Sequence, residues 1–112
     1  IKFDRTQLIR VITNLIKNSI QAISESQPEN PYIKVNVYKE GSFAMISVMD
    51  NGIGIKDENK VLVFEPKFTT KTSGMGLGLG IVKNIIESHN GTIRYVSKKN
   101  KGTTFTISIP KG

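Results

Sequence analysis

Ala44-Met45-Ile46-Ser47-Val48-Met49-Asp50-Asn51-Gly52-Ile53-Gly54 reads as a strand running into a glycine turn, and the other elements can be placed around it. Side chains alternate across a strand, so Ala44, Ile46, Val48 and Asp50 share one face, and the carboxylate points into the same layer as three apolar residues. A carboxylate in that position must find hydrogen-bond donors. Asn51-Gly52 is a turn pair, and capping that turn is one use for the Asp50 side chain. Upstream, Ile33, Val35 and Val37 alternate with polar residues over 32–39, and Glu40-Gly41-Ser42 closes a hairpin onto a strand over 43–50. A second hairpin is expected from strands over 92–97 and 103–109, where Thr103 keeps the parity of Phe105, Ile107 and Ile109 and so faces inward.

Two long helices accompany the hairpins. Over 4–24, Asp4 is placed to cap with Gln7 three residues on, and Leu8, Val11, Ile12, Leu15, Ile16, Ser19 and Ile23 trace a broad buried stripe. Asn18 falls about 20° from Val11 around the helix and Asn14 about 40° further round, beside Gln21, which puts both amides at the rim of the core. Over 78–89 a second helix ends at Asn90-Gly91 as a left-handed C-cap. A short helix is expected over 57–64. Residues 65–74, with Pro66 and no apolar period, read as a mobile loop. Helix, hairpin, helix, hairpin within 112 residues makes one two-layer α/β domain.

No apolar run approaches the roughly 20 residues of a membrane helix, and no signal-peptide pattern is present, so a soluble domain without direct membrane contact is expected. Cysteine is absent, which excludes a disulfide framework and thiolate zinc sites. The net charge of +7 suits a polyanionic partner. It is dispersed, however: Lys98, Lys99 and Lys101 form the dense cluster, at a hairpin turn, and there is no arginine-rich helix, so nucleic acid is not the expected partner.

Three groups of residues carry candidate chemistry. Asn is a poor helix former, so Asn14 and Asn18, four apart on one helix, point to amide oxygens able to ligate a hard cation such as Mg²⁺; a plain solvent face is the alternative. Asp50 and Thr103, a carboxylate and a hydroxyl on the inner face, can together read the donor and acceptor edge of a purine. Gly74-Met75-Gly76-Leu77-Gly78-Leu79-Gly80 runs into the second long helix, where close backbone approach and a helix N-terminus favour phosphates; a flexible linker is the alternative. It is not a Walker A loop, which needs Gly-Lys-Ser/Thr, and no strand leads directly into it as a dinucleotide fingerprint requires.

In order along the chain, Asn14-Leu-Ile-Lys-Asn18-Ser-Ile-Gln-Ala22, Asp50-Asn-Gly-Ile-Gly54, Phe64-Glu-Pro-Lys-Phe68-Thr-Thr-Lys71, Gly74-Met-Gly-Leu-Gly-Leu79 and Gly102-Thr-Thr-Phe105 resemble the N, G1, F, G2 and G3 boxes of one family. That family is the catalytic ATP-binding domain of bacterial sensor histidine kinases, within the GHKL superfamily. The likeness covers nearly the whole chain, and Phe68-Thr69-Thr70-Lys71 leans toward the nitrogen-regulation subgroup. It implies the Bergerat ATP-binding fold, an α/β two-layer sandwich whose mixed sheet is covered on one face by about three helices. Residues 1–112 would be the catalytic domain alone, without the N-terminal dimerisation and phosphoacceptor domain.

The same resemblance implies roles. Asp50 bonds the adenine amino group with Thr103 nearby, Asn18 holds Mg²⁺ bridging the phosphates of ATP, and Asn14 supports or shares that metal site and belongs to the catalytic set. Gly52 and Gly54 shape the adenine pocket, while Gly74, Gly76 and Gly78 hinge a lid and cradle the phosphates. Lys67 or Lys71 on the lid reaches the γ-phosphate, with Lys71 assigned to catalysis and Thr70, Leu77 and Leu79 to nucleotide binding.

Two departures qualify the likeness. Many members carry a lysine or histidine and then an aromatic residue after the second asparagine, where this chain has Gln21 and Ala22. Hydrolytic relatives place a water-activating glutamate at the position of Asn14, and an amide is no general base. The implied activity is therefore that of a cytoplasmic protein-histidine kinase, whether or not the full-length protein is membrane-anchored. The γ-phosphoryl passes to a histidine on the separate dimerisation domain and then to a response regulator. The single histidine here, His89, sits at a helix end and is read as bonding the last carbonyls. A nucleotide-binding interaction module, either a degenerate kinase or an anti-sigma-type serine kinase, is the alternative.

Overall fold

Asp4 caps the first helix as its sequence position suggests: its side-chain oxygen accepts from the Gln7 N–H at 3.1 Å. The computed structural model describes residues 3–55 and 79–110. Within them Arg5–Ser26 forms α1, Ile33–Glu40 β1, Phe43–Asp50 β2, Leu79–Ser88 α2, Thr92–Lys98 β3 and Gly102–Pro110 β4. α1 runs two residues beyond the expected 24 and stops where Gln27 turns left-handed, its N–H donating to Ile23 O at 2.7 Å. α2 ends as expected, with Asn90 at φ 63° and the Gly91 N–H returning to Ile86 O at 2.9 Å. The short helix expected over 57–64 and the loop over 65–74 lie outside the described residues.

The sheet has the order β1-β2-β4-β3, and every neighbouring pair is antiparallel. This corrects the expected mixed sheet for the described strands. β2 and β3 do run in the same direction, as a strand–helix–strand crossover demands, but β4 folds back between them and leaves no parallel neighbours. Both described helices cover one face, in keeping with the expected two-layer sandwich.

The core lies between these helices and the centre of the sheet. Val11 and Leu15 of α1, Val82 and Ile86 of α2, Val48 of β2 and Ile107 of β4 are all fully buried. Register places Ile46 opposite Ile107 and Val48 opposite Phe105, so the two central strands present one apolar surface. β1 behaves differently. Val35 and Val37 pair with Val48 and Ile46 and so belong to the helix-covered face, yet they are 42% and 73% exposed, because β1 is an edge strand that overhangs the described helices. No described helix is long and apolar enough to cross a membrane.

Leu15→Ala, which opens a cavity at a fully buried site, is expected to lower the unfolding free energy by about 2–5 kcal/mol in a urea melt. Val37→Ala, at the exposed edge, is expected to change it by no more than about 0.5 kcal/mol.

Candidate nucleotide-binding site

Asp50 closes β2 on the helix-covered face and is only 4% exposed. Its Oδ1 accepts the Gly52 N–H at 2.8 Å, so the turn-capping role is filled. The Ser19 hydroxyl of α1 and the Thr103 N–H of β4 donate to the same carboxylate. Burial pushes the Asp50 carboxyl above its ordinary 3.8, and the three donors, Gly52 first, then Ser19 and Thr103, pull it partly back. A carboxylate has about four acceptor positions, so these internal contacts leave room for a donor from a ligand.

Thr103 stands directly opposite Asp50 in the β2–β4 register and is also buried. Its Oγ1 lies 2.8 Å from Ser97 Oγ, and Ser97 Oγ accepts the Ile55 N–H at 2.7 Å. The turn after Asp50 is held from both sides: the Ile53 N–H donates to Ala22 O at 3.0 Å, and the Asn100 N–H donates to Ile53 O at 2.6 Å. Asn51 ties the same turn to the chain before β1, accepting from the Tyr32 N–H at 2.9 Å and donating to Asn30 O at 2.8 Å.

Gly52 and Gly54 answer to this packing. A Cβ at Gly52 would lie 2.6 Å from the Ala22 carbonyl carbon, and at Gly54, where φ is +78°, it would overlap the Lys98 carbonyl. Their place in the site comes from letting α1 and the β3–β4 hairpin close on the turn.

Asn14 and Asn18 lie half-buried one turn apart on α1. Asn18 Nδ2 is buried with no hydrogen-bond partner, the single such side-chain atom among the described residues. Nitrogen and oxygen of a side-chain amide are interchangeable by shape, so one polar end of the Asn18 amide is unsatisfied, next in sequence to the Ser19 that bonds Asp50. Native folds rarely leave such an atom orphaned without a ligand or water to meet it. A hard cation that also binds phosphate oxygens needs only one or two protein ligands, and the amide fits that requirement. Among the described residues no three His, Cys, Asp or Glu side chains converge on a metal position.

The remaining sequence candidates divide in two. Leu79 begins α2 with its side chain 1% exposed in the hydrophobic core. Lys67, Thr70, Lys71, Gly74, Gly76, Leu77 and Gly78 lie outside the described residues. His89 takes the structural part read from its position. Its Nδ1 donates to Ile85 O at 2.7 Å, its Nε2 lies 3.4 Å from the Asp4 N–H, and its ring stacks on Phe3 with centroids 3.7 Å apart.

Sequence reading missed Ser19 and Ser97. Ser19 passed as one more member of the apolar stripe of α1, where a hydroxyl facing the layer of Asp50 was the available signal. Ser97 shares the parity of Ile93 and Tyr95, which places a hydroxyl on the inner face of β3. A separate apolar groove of about 310 Å³, lined by Ile20, Ile23, Pro31, Tyr32 and Ile33, offers none of these polar groups.

The histidine kinase-, DNA gyrase B- and HSP90-like ATPase family matches residues 3–112. The chain belongs to that family. Over 110 residues this ATPase-family domain is 43% identical to the sensor histidine kinase ZraS of Escherichia coli K12, covering 98% of this chain and 23% of the relative. Sporulation kinase B of Bacillus subtilis 168 is 40% identical over 107 residues, covering 96% and 24%. The chain thus spans about a quarter of the length of these curated relatives. Among solved structures, a nucleotide-free catalytic domain of the histidine kinase ThkA matches with a TM-score of 0.83 at 39% identity, covering 99% of this chain and 70% of that one. A mycobacterial sensor histidine kinase, MprB, matches at 0.78 and 29% identity, covering 96% and 72%. Within the family, the domain has the fold and sequence of histidine-kinase catalytic domains, the two-layer GHKL architecture.

Because the Asp50 carboxyl is raised in the folded state, the folded chain holds that proton more tightly than the unfolded chain. Its contribution to stability is therefore greatest below 3.8 and declines as pH rises through the elevated folded value. Urea melts of the parent and Asp50→Ala between about pH 3.5 and about pH 7 are expected to show a parent-minus-variant stability that falls across that window. A flat or rising difference contradicts the burial assignment.

Proposed function

We propose that this domain binds ATP with Mg²⁺ and presents the γ-phosphoryl group to a histidine on a separate dimerisation domain, as the catalytic part of a two-component sensor kinase. The observation that carries the reading is an unsatisfied Asn18 amide on the same helix that meets the buried Asp50 carboxylate through Ser19, in a histidine-kinase catalytic fold.

Asp50 accepts a hydrogen bond from an exocyclic amine, and the Thr103 hydroxyl beside it meets the neighbouring ring position. Asn18, with Asn14 one turn away, holds the metal. When bound, Mg²⁺ neutralises phosphate charge and orients the phosphates. Gly74, Gly76 and Gly78 meet those phosphates through their backbone, Leu77 and Thr70 contribute to the nucleotide site, and Lys67 or Lys71 meets the terminal one. Leu79 supports the nucleotide from the core side.

Asn14 has no basic group with which to activate water, which favours keeping the phosphoryl for an acceptor over hydrolysis. His89 is engaged through both ring nitrogens and stacked on Phe3, so the acceptor histidine belongs to another domain and the onward recipient is a response regulator. Catalysis by this domain is then positioning and charge neutralisation, carried out on the cytoplasmic side. The nitrogen-regulation leaning rests on Phe68–Lys71, outside the described residues.

Calorimetry is expected to show ATP binding that weakens roughly tenfold or more in Asp50→Ala, and an Mg²⁺ dependence that disappears in Asn18→Ala. Mixing the domain with the histidine-bearing domain of its own polypeptide and labelled ATP is expected to label that histidine. Binding without transfer would instead indicate an interaction module, and no binding at all would sink the nucleotide assignment.

A further inference from the structure

Ser97 lies on β3, outside every sequence box that carries the family likeness, yet the contacts that hold the base-reading residues converge on its hydroxyl. It is 8% exposed. Its Oγ accepts the Ile55 N–H at 2.7 Å, lies 2.8 Å from Thr103 Oγ1 and lies 3.3 Å from the Gly102 carbonyl. Only one proton sits on that oxygen. A hydroxyl–oxygen bond is usually about 2.7–2.8 Å long, so Thr103 is the strong partner and Gly102 the weak one. Either hydroxyl can donate across the 2.8 Å contact; when Ser97 is the donor, the chain runs from Ile55 N–H to Ser97 and from Ser97 O–H to Thr103. The Thr103 proton is then available on the inner face beside Asp50. Bonds in such a chain polarise one another, which strengthens Thr103 as a donor.

We propose that Ser97 is a positioning residue for base specificity: it sets the Thr103 hydroxyl as a donor. Beside the acceptor carboxylate of Asp50, the pocket then matches a six-membered ring that bears an exocyclic amine next to a bare ring nitrogen. The proposal rests on the nucleotide reading above and adds a reason for choosing an amino-purine over an oxo-purine. An oxo-purine reverses the edge, setting an acceptor against the carboxylate and a donor against the Thr103 proton. A site with its buried polar groups left unpaired in this way rejects the wrong ligand strongly. The contact from Thr103 to the ring nitrogen is direct or passes through one water.

Because Ser97 acts through Thr103, its effect must depend on both the Thr103 hydroxyl and the ring nitrogen. The test compares ATP with 1-deaza-ATP, in which that nitrogen is replaced by C–H, by calorimetry on the whole chain. The parent is expected to bind 1-deaza-ATP roughly threefold to tenfold more weakly than ATP. Ser97→Ala is expected to lose about that factor for ATP and almost nothing for 1-deaza-ATP, so that the two affinities converge. Adding Ser97→Ala to Thr103→Val is expected to cost nothing further, and Ser97→Thr, which keeps the hydroxyl, is expected to restore the gap. Ser97 also satisfies the Ile55 N–H, so folding of each variant is checked by urea melt. If Ser97→Ala does not fold, Ser97→Cys, of similar size but a weak donor and acceptor, is expected to give the same convergence. Equal losses for both nucleotides, or losses additive with Thr103→Val, would mean that Ser97 is only a packing residue and would overturn the proposal while leaving Asp50-dependent ATP binding intact. Absence of ATP binding, or binding indifferent to Asp50→Ala, would remove the nucleotide reading and this proposal with it.

Discussion

A buried carboxylate is the constraint around which this domain is assembled. Asp50 cannot lose its water without replacement donors, and those donors come from three separate elements: Ser19 from α1, the Gly52 N–H from the turn and Thr103 from β4. Satisfying the one side chain therefore requires the first helix, the end of β2 and the start of β4 to dock together. The compensation is incomplete, since burial still outweighs the donors and the carboxyl titrates high. Groups held in that condition in a fold are characteristic of functional sites, where stability is given up to keep an acceptor dry and available.

The turn that follows is fixed from two directions. Ile53 donates its N–H to Ala22 O and accepts the Asn100 N–H at its carbonyl, so α1 and the β3–β4 hairpin grip the same residue. The glycine at 52 lets the helix approach, and Ser97 fastens the far end of the turn at Ile55. Against this well-satisfied background the Asn18 amide stands apart. Folding finds partners for the neighbouring polar groups but leaves one end of this amide buried and empty-handed. The contrast separates the groups whose bonds hold these elements together from the one amide to which the proposed metal role falls.

Much of the site was legible one residue at a time. Strand parity put Asp50 and Thr103 on the inner face, helical angles put Asn18 at the rim of the core, and the position of His89 at a helix end matched its bond to Ile85 O. The same rules were silent about Ser19 and Ser97. Their parity or angle was readable, but a buried serine earns its role from the residue it meets, and Asp50 and Ile55 lie far from them along the chain. Parity also leaves the exposure of Val35 and Val37 undecided, because facing the helix layer is a property of a strand while being covered by it depends on where that strand lies in the sheet.

The sequence by itself determined the elements and which face each residue presents, since the 2-residue and 3.6-residue repeats are local backbone geometry that needs no partner. Only the tertiary structure decided that β4 inserts between β2 and β3, that Thr103 lands opposite Asp50, that Gly52 clears the end of α1, and that the Asn18 amide is left unpaired. Each of those depends on two or more segments distant in sequence closing on the same space, and the free energy that selects such an arrangement belongs to the contact and to neither segment alone.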